Sequence, residues 1–296
     1  MKKTVIVGFI VTVVGIFLFA LGLGNGGART VYWDHGFTTD QYSRVKSHQV
    51  TKSYSGIKNF SLATASRVQI KKGNVSKTEI TYPSATKVTK SGDTLHMNLK
   101  SQPKRHGVVF FGDFDQASHL FGKTIITVPK NTQIGTITSD VADSISVKNM
   151  IIKTITSSGV GDVTLDHVTT TADLDLENTG DVTLKSSRFP NAHLDVGAGD
   201  VTLTSNKFDS MSVETGAGDI NFNPQKVGKS LTAHSDVGDI SGHVAKNKRA
   251  QISVSADVGD ASLFGSSHKK HIESTAKNPI VYKFTSDVGD VTIHEG

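Results

Sequence analysis

Aspartate is the side chain whose spacing first suggests chemistry in this 296-residue chain. A Gly-Asp pair recurs at Gly161-Asp162, Gly180-Asp181, Gly199-Asp200, Gly218-Asp219, Gly238-Asp239, Gly259-Asp260 and Gly289-Asp290, with Ala142-Asp143 as a degenerate first member. The Asp positions advance by 19, 19, 19, 19, 20, 21 and 30 residues. Carboxylates on one register can hold a hard cation when enough oxygens converge. The stretch from Gly197 to Leu203 superficially resembles the calcium-binding turn of β-roll repeats, which carry a second Asp in each turn. Here a second Asp, as Asp-x-Gly-Asp, occurs only at Asp236/Asp239, Asp257/Asp260 and Asp287/Asp290, so those six are the Ca2+ candidates. The structural alternative covers the whole series. Gly supplies backbone angles that other residues resist, and an Asp after it accepts hydrogen bonds from turn N–H groups, as in an Asx-turn. Stacked on one another, the Asp side chains would stand about 4.8 Å apart and repel by roughly 0.9 kcal/mol per neighbour in water. Turn hydrogen bonds and solvent are expected to offset that.

Other chemistry is sparse. The chain has no Cys, which excludes a disulfide framework, thiolate-held zinc, a thiol nucleophile and a lipid-modified Cys. Its 12 His residues lack ligand spacing, and the one close pair, His268 and His271, reads as a solvated basic loop. No nucleophile elbow, phosphate loop or dinucleotide fingerprint is present. Asp166, Asp173, Asp175, Glu177 and Glu214 follow no pattern and read as a solvated face. No catalytic residue and no cofactor is expected, with a glycan-cleaving β-helix as the enzymatic alternative.

Charge divides the chain. Residues 1–130 carry 18 Lys/Arg against 6 Asp/Glu, and the remainder carries 14 against 21, so a net of +12 faces a net of −7. Nucleic acid is not an expected partner for an exported chain with an acidic half. Lys46, Lys52, Lys58, Lys71, Lys72, Lys104 and Arg105 are candidates for an anionic lipid or wall polymer. Lys104 and Arg105 belong to a long segment, 101–122, which also carries Phe110 and Phe111. These aromatics either fold onto the core or form an exposed patch for a partner.

The elements that position these residues follow from periodicity. Apolar residues lie one and three places after each repeated Asp, as in Val201/Leu203 and Ile220/Phe222, and eight and six places before it, as in Met211/Val213. Before Asp181 the pair Leu174/Leu176 sits one step closer. Period-2 alternation of this kind puts one face of each strand inside. One unit buries too little to stand alone, so units must stack. The expectation is an all-β chain whose residues 131–296 form a parallel β-solenoid of about 19 residues per coil. The 30-residue step before Asp290 reads as a flank insertion around residues 266–279. An N-terminal β region, 54–130, precedes the repeats, and a polar, basic stalk, 25–53, precedes that. Thr4 to Gly24 carries no charge over 21 residues and follows Lys2 and Lys3. That is long enough for one transmembrane helix, with residues 1–3 cytoplasmic and the rest outside the membrane. A cleaved signal peptide is the alternative and leads to the same export.

Several of these segments together resemble the putative adhesin family of bacterial envelope proteins. They are the strand from Ile57 to Leu62, the turn from Val68 to Gly73, Ser91 to Leu95, Ile126 to Lys130, and the Gly-Asp-Val-Thr-Leu repeats. The resemblance covers residues 54–296 and implies a β-solenoid with a surface or envelope-stress role and no catalytic residues to carry over. The expected function is a non-enzymatic, membrane-anchored, extracytoplasmic binding or scaffold protein, with its partner among anionic lipid, wall polymer or another envelope protein. An envelope-stress accessory that regulates a membrane partner is the alternative.

Overall fold

The computed structural model describes residues 31–33, 37–39, 48–64, 66–99, 122–141, 143–268 and 270–296. The chain divides into two compact units, residues 1–46 with 101–120, and residues 47–100 with 121–296. What is described of the first is a hairpin, Val31–Trp33 antiparallel to Phe37–Thr39. The expected anchor at 4–24, and Lys46, Lys104, Arg105, Phe110 and Phe111, lie outside the described residues. Among the described residues no helix is long and apolar enough to cross a membrane.

The second unit is all-β and is built from stacked coils. The strand after each repeated Asp pairs in parallel with its copy in the next coil. Val163 and Leu165 stand beside Val182 and Leu184, then Val201 and Leu203, then Ile220 and Phe222. The strand before each Asp does the same, from Leu174/Leu176 through Ala192/Leu194 and Met211/Val213 to Leu231/Ala233. Both sets are buried and join one continuous core. A lone coil would have a handful of apolar residues to set against the entropy of ordering nineteen, which is why the coils fold as a stack. The alternation read from the sequence holds through the Asp239 coil.

The second corner of the coil was not foreseen. Asn149, His167, Ser186 and Ser205 adopt left-handed backbone with φ of 56, 55, 47 and 53°, one per coil. The residue after each of the last two turns into the core. Asn206 is fully buried there, accepting the Ser187 N–H through its side-chain oxygen and donating to the Leu184 carbonyl. Gln225 repeats both contacts one coil on, to the Asn206 N–H and the Leu203 carbonyl. This inner polar ladder satisfies backbone groups that the turn would otherwise strand.

Three expectations change. First, the boundary at 130 is not a structural one. Asn59–Ala63 and Arg67–Gly73 form a coil in parallel register with Ile134–Ser139 and Ser144–Ser157, so the N-terminal β region belongs to the same stack. Second, the folded unit begins before Tyr54, because Gln49–Tyr54 is an edge strand antiparallel to Thr78–Pro83. Third, the coils do not stack in chain order. The Asp239 coil pairs with the Asp290 coil through Lys226–Val237 against Ile280–Val288, and the Asp290 coil then pairs with the Asp260 coil. The coil that comes last in the chain is thus slotted between the two before it. The segment taken for a flank insertion is the return path, and its strand His271–Ile272 runs antiparallel along the outer edge of Ala250–Val258.

The opposite end mirrors this. Thr94–Leu99 pairs on Asn59–Ala63, and Lys123–Pro129 on Arg67–Gly73, while Asn59–Ala63 also pairs with Ile134–Ser139. The second coil of the chain is therefore outermost and the first is inside. Antiparallel strands cover that end too, Thr78–Pro83 on Lys123–Pro129 and Thr86–Ser91 on Thr94–Leu99. Among the described residues the open edges at this end are thereby two six-residue strands, Gln49–Tyr54 and Thr86–Ser91, which carry exposed Lys52, Lys87 and Lys90.

Candidate functional site

The Gly-Asp corner is a staple between coils. Asp162 Oδ1 accepts the N–H of Asp181 at 3.0 Å, Asp181 that of Asp200 at 2.9 Å, and Asp200 that of Asp219 at 2.9 Å. The series continues from Asp219 to Asp239, Asp239 to Asp290 and Asp290 to Asp260. The expected Asx-turn within each loop is therefore replaced by a bond to the next loop, and the file runs 239, 290, 260. Each carboxylate from Asp162 to Asp290 faces an N–H dipole, which offsets the repulsion along the file. The glycines earn their place at Gly218, where φ is +147° and an added Cβ would strike the Gly199 carbonyl. Gly180, Gly199, Gly238, Gly259 and Gly289 share that positive φ, whereas Gly161 lacks it and is held by close contact with the Asp143 backbone.

The six Ca2+ candidates divide. Asp239 and Asp290 each commit a carboxylate oxygen to the staple, whereas Asp260 ends the file and takes part through its backbone N–H. Asp236, Asp257 and Asp287 form a second, outward file, separated from the first by Val237, Val258 and Val288, which are 54, 64 and 47% exposed. They do not converge as one oxygen cage. Asp236 and Asp287 meet His234 instead, with His234 Nε2 at 3.1 Å from Asp236 Oδ1 and 3.9 Å from Asp287 Oδ1. A depression of 460 Å3 opens beside this group, lined by Glu214, His234, Lys283 and Thr285 among others.

Two further files were hidden in the sequence. Glu177, Asp195, Glu214 and His234 are register partners on successive coils, so acids that read as unpatterned form a row. On another corner Arg188, Lys207 and Lys226 are register partners, all exposed, and none is ion-paired among the described residues. Both were findable. Arg188, Lys207 and Lys226 each lie seven places after a repeated Asp, and Asp195, Glu214 and His234 each lie five before one.

The basic candidates scatter. Lys71 and Lys72 are consecutive in a strand and point to opposite faces. Lys71 heads a file with Lys148, Asp166 and Lys185. Within it Asp166 is met by Lys148 at 3.7 Å and by the His167 ring Nδ1 at 2.6 Å. The His167 hydrogen bond, helped by the charges of His167, Lys148 and Lys185, outweighs desolvation and lowers the Asp166 pKa. Lys52 is on the exposed edge strand, and Lys58 lines a separate 430 Å3 depression with Lys77.

The family model described as Toastrack DUF4097 matches residues 57–294. A solved structure of a putative adhesin from Bacteroides fragilis is similar at 15% identity and a TM-score of 0.50, covering 84% of this chain and 97% of that one. Another, a putative adhesin from Parabacteroides distasonis, has 11% identity and a TM-score of 0.46, covering 84% and 96%. No curated protein matches the chain.

Proposed function

The chain belongs to the Toastrack DUF4097 family, and from that premise we propose that it is a non-enzymatic, adhesin-like binding scaffold. A helix at residues 4–24 anchors it in a membrane, with the solenoid on the outer side and a linear polyanion of the cell envelope as its partner. The observation that supports this reading most is the file of Arg188, Lys207 and Lys226, one unpaired cation per coil at the roughly 4.8 Å spacing of a parallel sheet. A rigid, evenly spaced row suits a polymer that repeats its charge. Each contact is weak, and the row gains strength by engaging several at once. This reading puts anion binding on the repeats, in place of Lys52, Lys58, Lys71 and Lys72, which scatter.

The test is co-sedimentation of the full chain in detergent with an anionic wall polymer, at low and high salt. Binding should weaken steeply with salt. The triple variant R188Q/K207Q/K226Q should lose at least about tenfold in affinity, roughly 1.4 kcal/mol. Equal binding by the triple variant, or salt-independent binding, would count against the reading.

A further inference from the structure

The coil inserted last does more than fill a gap in the stack. It brings Thr285 and Asp287 alongside His234 and Asp236 of the Asp239 coil. His234 and Thr285 are register partners, and the pairs Ser235/Ser286 and Val237/Val288 bracket Asp236 and Asp287. Residues two apart on a strand share a face, so these four side chains make a two-by-two square on the outside of the sheet. The Thr285 hydroxyl lies 3.0 Å from His234 Nδ1. With the Nδ1 proton donated to Thr285, the Nε2 lone pair points at two carboxylates. Nε2, an Asp236 oxygen and an Asp287 oxygen all lie within 4.8 Å of one another. In that tautomer the three converging groups are all acceptors, and a cation supplies the partner they lack; in the other, Nε2–H donates to Asp236.

We propose that His234, Asp236 and Asp287 are the protein ligands of a divalent metal, and that the site takes Zn2+ in preference to Ca2+. The geometry fits. Tetrahedral Zn2+ with bonds of about 2.0–2.1 Å has ligand-to-ligand edges of about 3.3 Å. The two separations from Nε2, 3.1 and 3.9 Å, bracket that edge, and the two carboxylate oxygens lie within 4.8 Å of each other, so closure asks for rotation of the exposed carboxylates. The donor set fits as well. Ca2+ takes six to eight oxygens and little nitrogen, whereas an imidazole with two carboxylates suits Zn2+. Thr285 plays the supporting part that a metal-bound His requires, fixing the ring and its tautomer from the far nitrogen. Three protein ligands leave one position for water or for a donor from a partner. The metal would also clip the inserted coil to its neighbour.

The full chain, stripped with chelator in detergent, is titrated with Zn2+ and with Ca2+ by calorimetry. A second place that could take Zn2+ is the exposed pair His243 and His294, whose rings lie 5.2 Å apart, so H243A/H294A is titrated in parallel. The proposal expects one strong Zn2+ equivalent, at least about tenfold tighter than Ca2+. It expects that equivalent to survive in H243A/H294A, to be lost in H234A and D287N, and to weaken about tenfold or more in T285V. Saturating Zn2+ should raise the melting midpoint of the parent by about 5 °C and leave that of D287N in place. Circular dichroism of each variant separates loss of the site from loss of the fold, and the visible spectrum of bound Co2+ reports the imidazole ligand directly. Unchanged Zn2+ binding in folded H234A, tighter Ca2+ than Zn2+, or no strong equivalent at all would overturn the assignment and leave His234 hydrogen-bonded to Asp236.

Discussion

Asp200 shows what one side chain does in the corner file. Its Oδ1 accepts the Asp219 N–H at 2.9 Å, and its own N–H is held by Asp181. The position needs an acceptor and not a charge. Asn keeps the acceptor and removes repulsion from Asp181 and Asp219, whereas Ala removes both. Asp200→Asn should therefore be nearly neutral, within about 0.5 kcal/mol, and Asp200→Ala should cost about 0.5–1.5 kcal/mol, as read by urea denaturation. An equal cost for the two would mean that the charge itself matters. The period of 19 made this file visible in the sequence. It did not reveal the acceptor's target, because an Asp after Gly can bond within its own turn or to the next one, and only the stacking distance decides. The His234 group was illegible for a different reason. Asp287 reaches His234 across a step of 53 residues, and the chain order places Asp257 there instead.

At the scale of the coil, side-chain volume decides which neighbour fits. The Asp239 coil carries Ala233 and Gly242 where others carry larger residues. Phe222 from one side and Phe284 from the other lean into that space and stack, with ring centroids 5.0 Å apart. An added Cβ on Gly242 would strike the Phe222 ring. The Asp260 coil offers Val254 at the place of Phe284, so stacking it directly on the Asp239 coil would leave a void. This volume match accounts for the slotting of the Asp290 coil, and repeated Asp-Val-Gly-Asp corners could not, since all three coils share them. Strands and core faces were legible from alternation because each is a local property. Coil order was not, because it rests on one large-small-large match across distant segments. Phe284→Ala, at a fully buried position, should cost about 3–5 kcal/mol and loosen the Asp260 coil first. Hydrogen exchange would show that as faster exchange in Ala250–Val258 than in Asn191–Ala198. Uniform acceleration through both strands would speak against coil-by-coil coupling.

For the molecule as a whole, the proposed anchor sets a topology that can be measured. With Lys2 and Lys3 inside and the solenoid outside, protease added to intact cells that express the chain should digest the repeats and leave a short membrane-bound fragment. Complete protection of a membrane-bound chain would reverse that orientation. The charge split read from the sequence carries over to the stack, since the strands of residues 59–73, 94–99 and 123–129 pair together at one end and meet the repeats only where residues 60–71 lie beside 137–148. The tucked coils carry one more consequence, for the order of assembly. A stack whose coils follow the chain can close like a zipper, each new turn settling on the last. Here the strand Val291–Glu295 has a neighbour on each side, and both neighbours come earlier in the chain. A growing or emerging chain must therefore hold the Asp260 coil back from the seat beside the Asp239 coil until the final segment arrives. The same arrangement works in reverse under load. A pull on that final strand must shear two ladders at once, where the last strand of an ordinary zipper would peel from one.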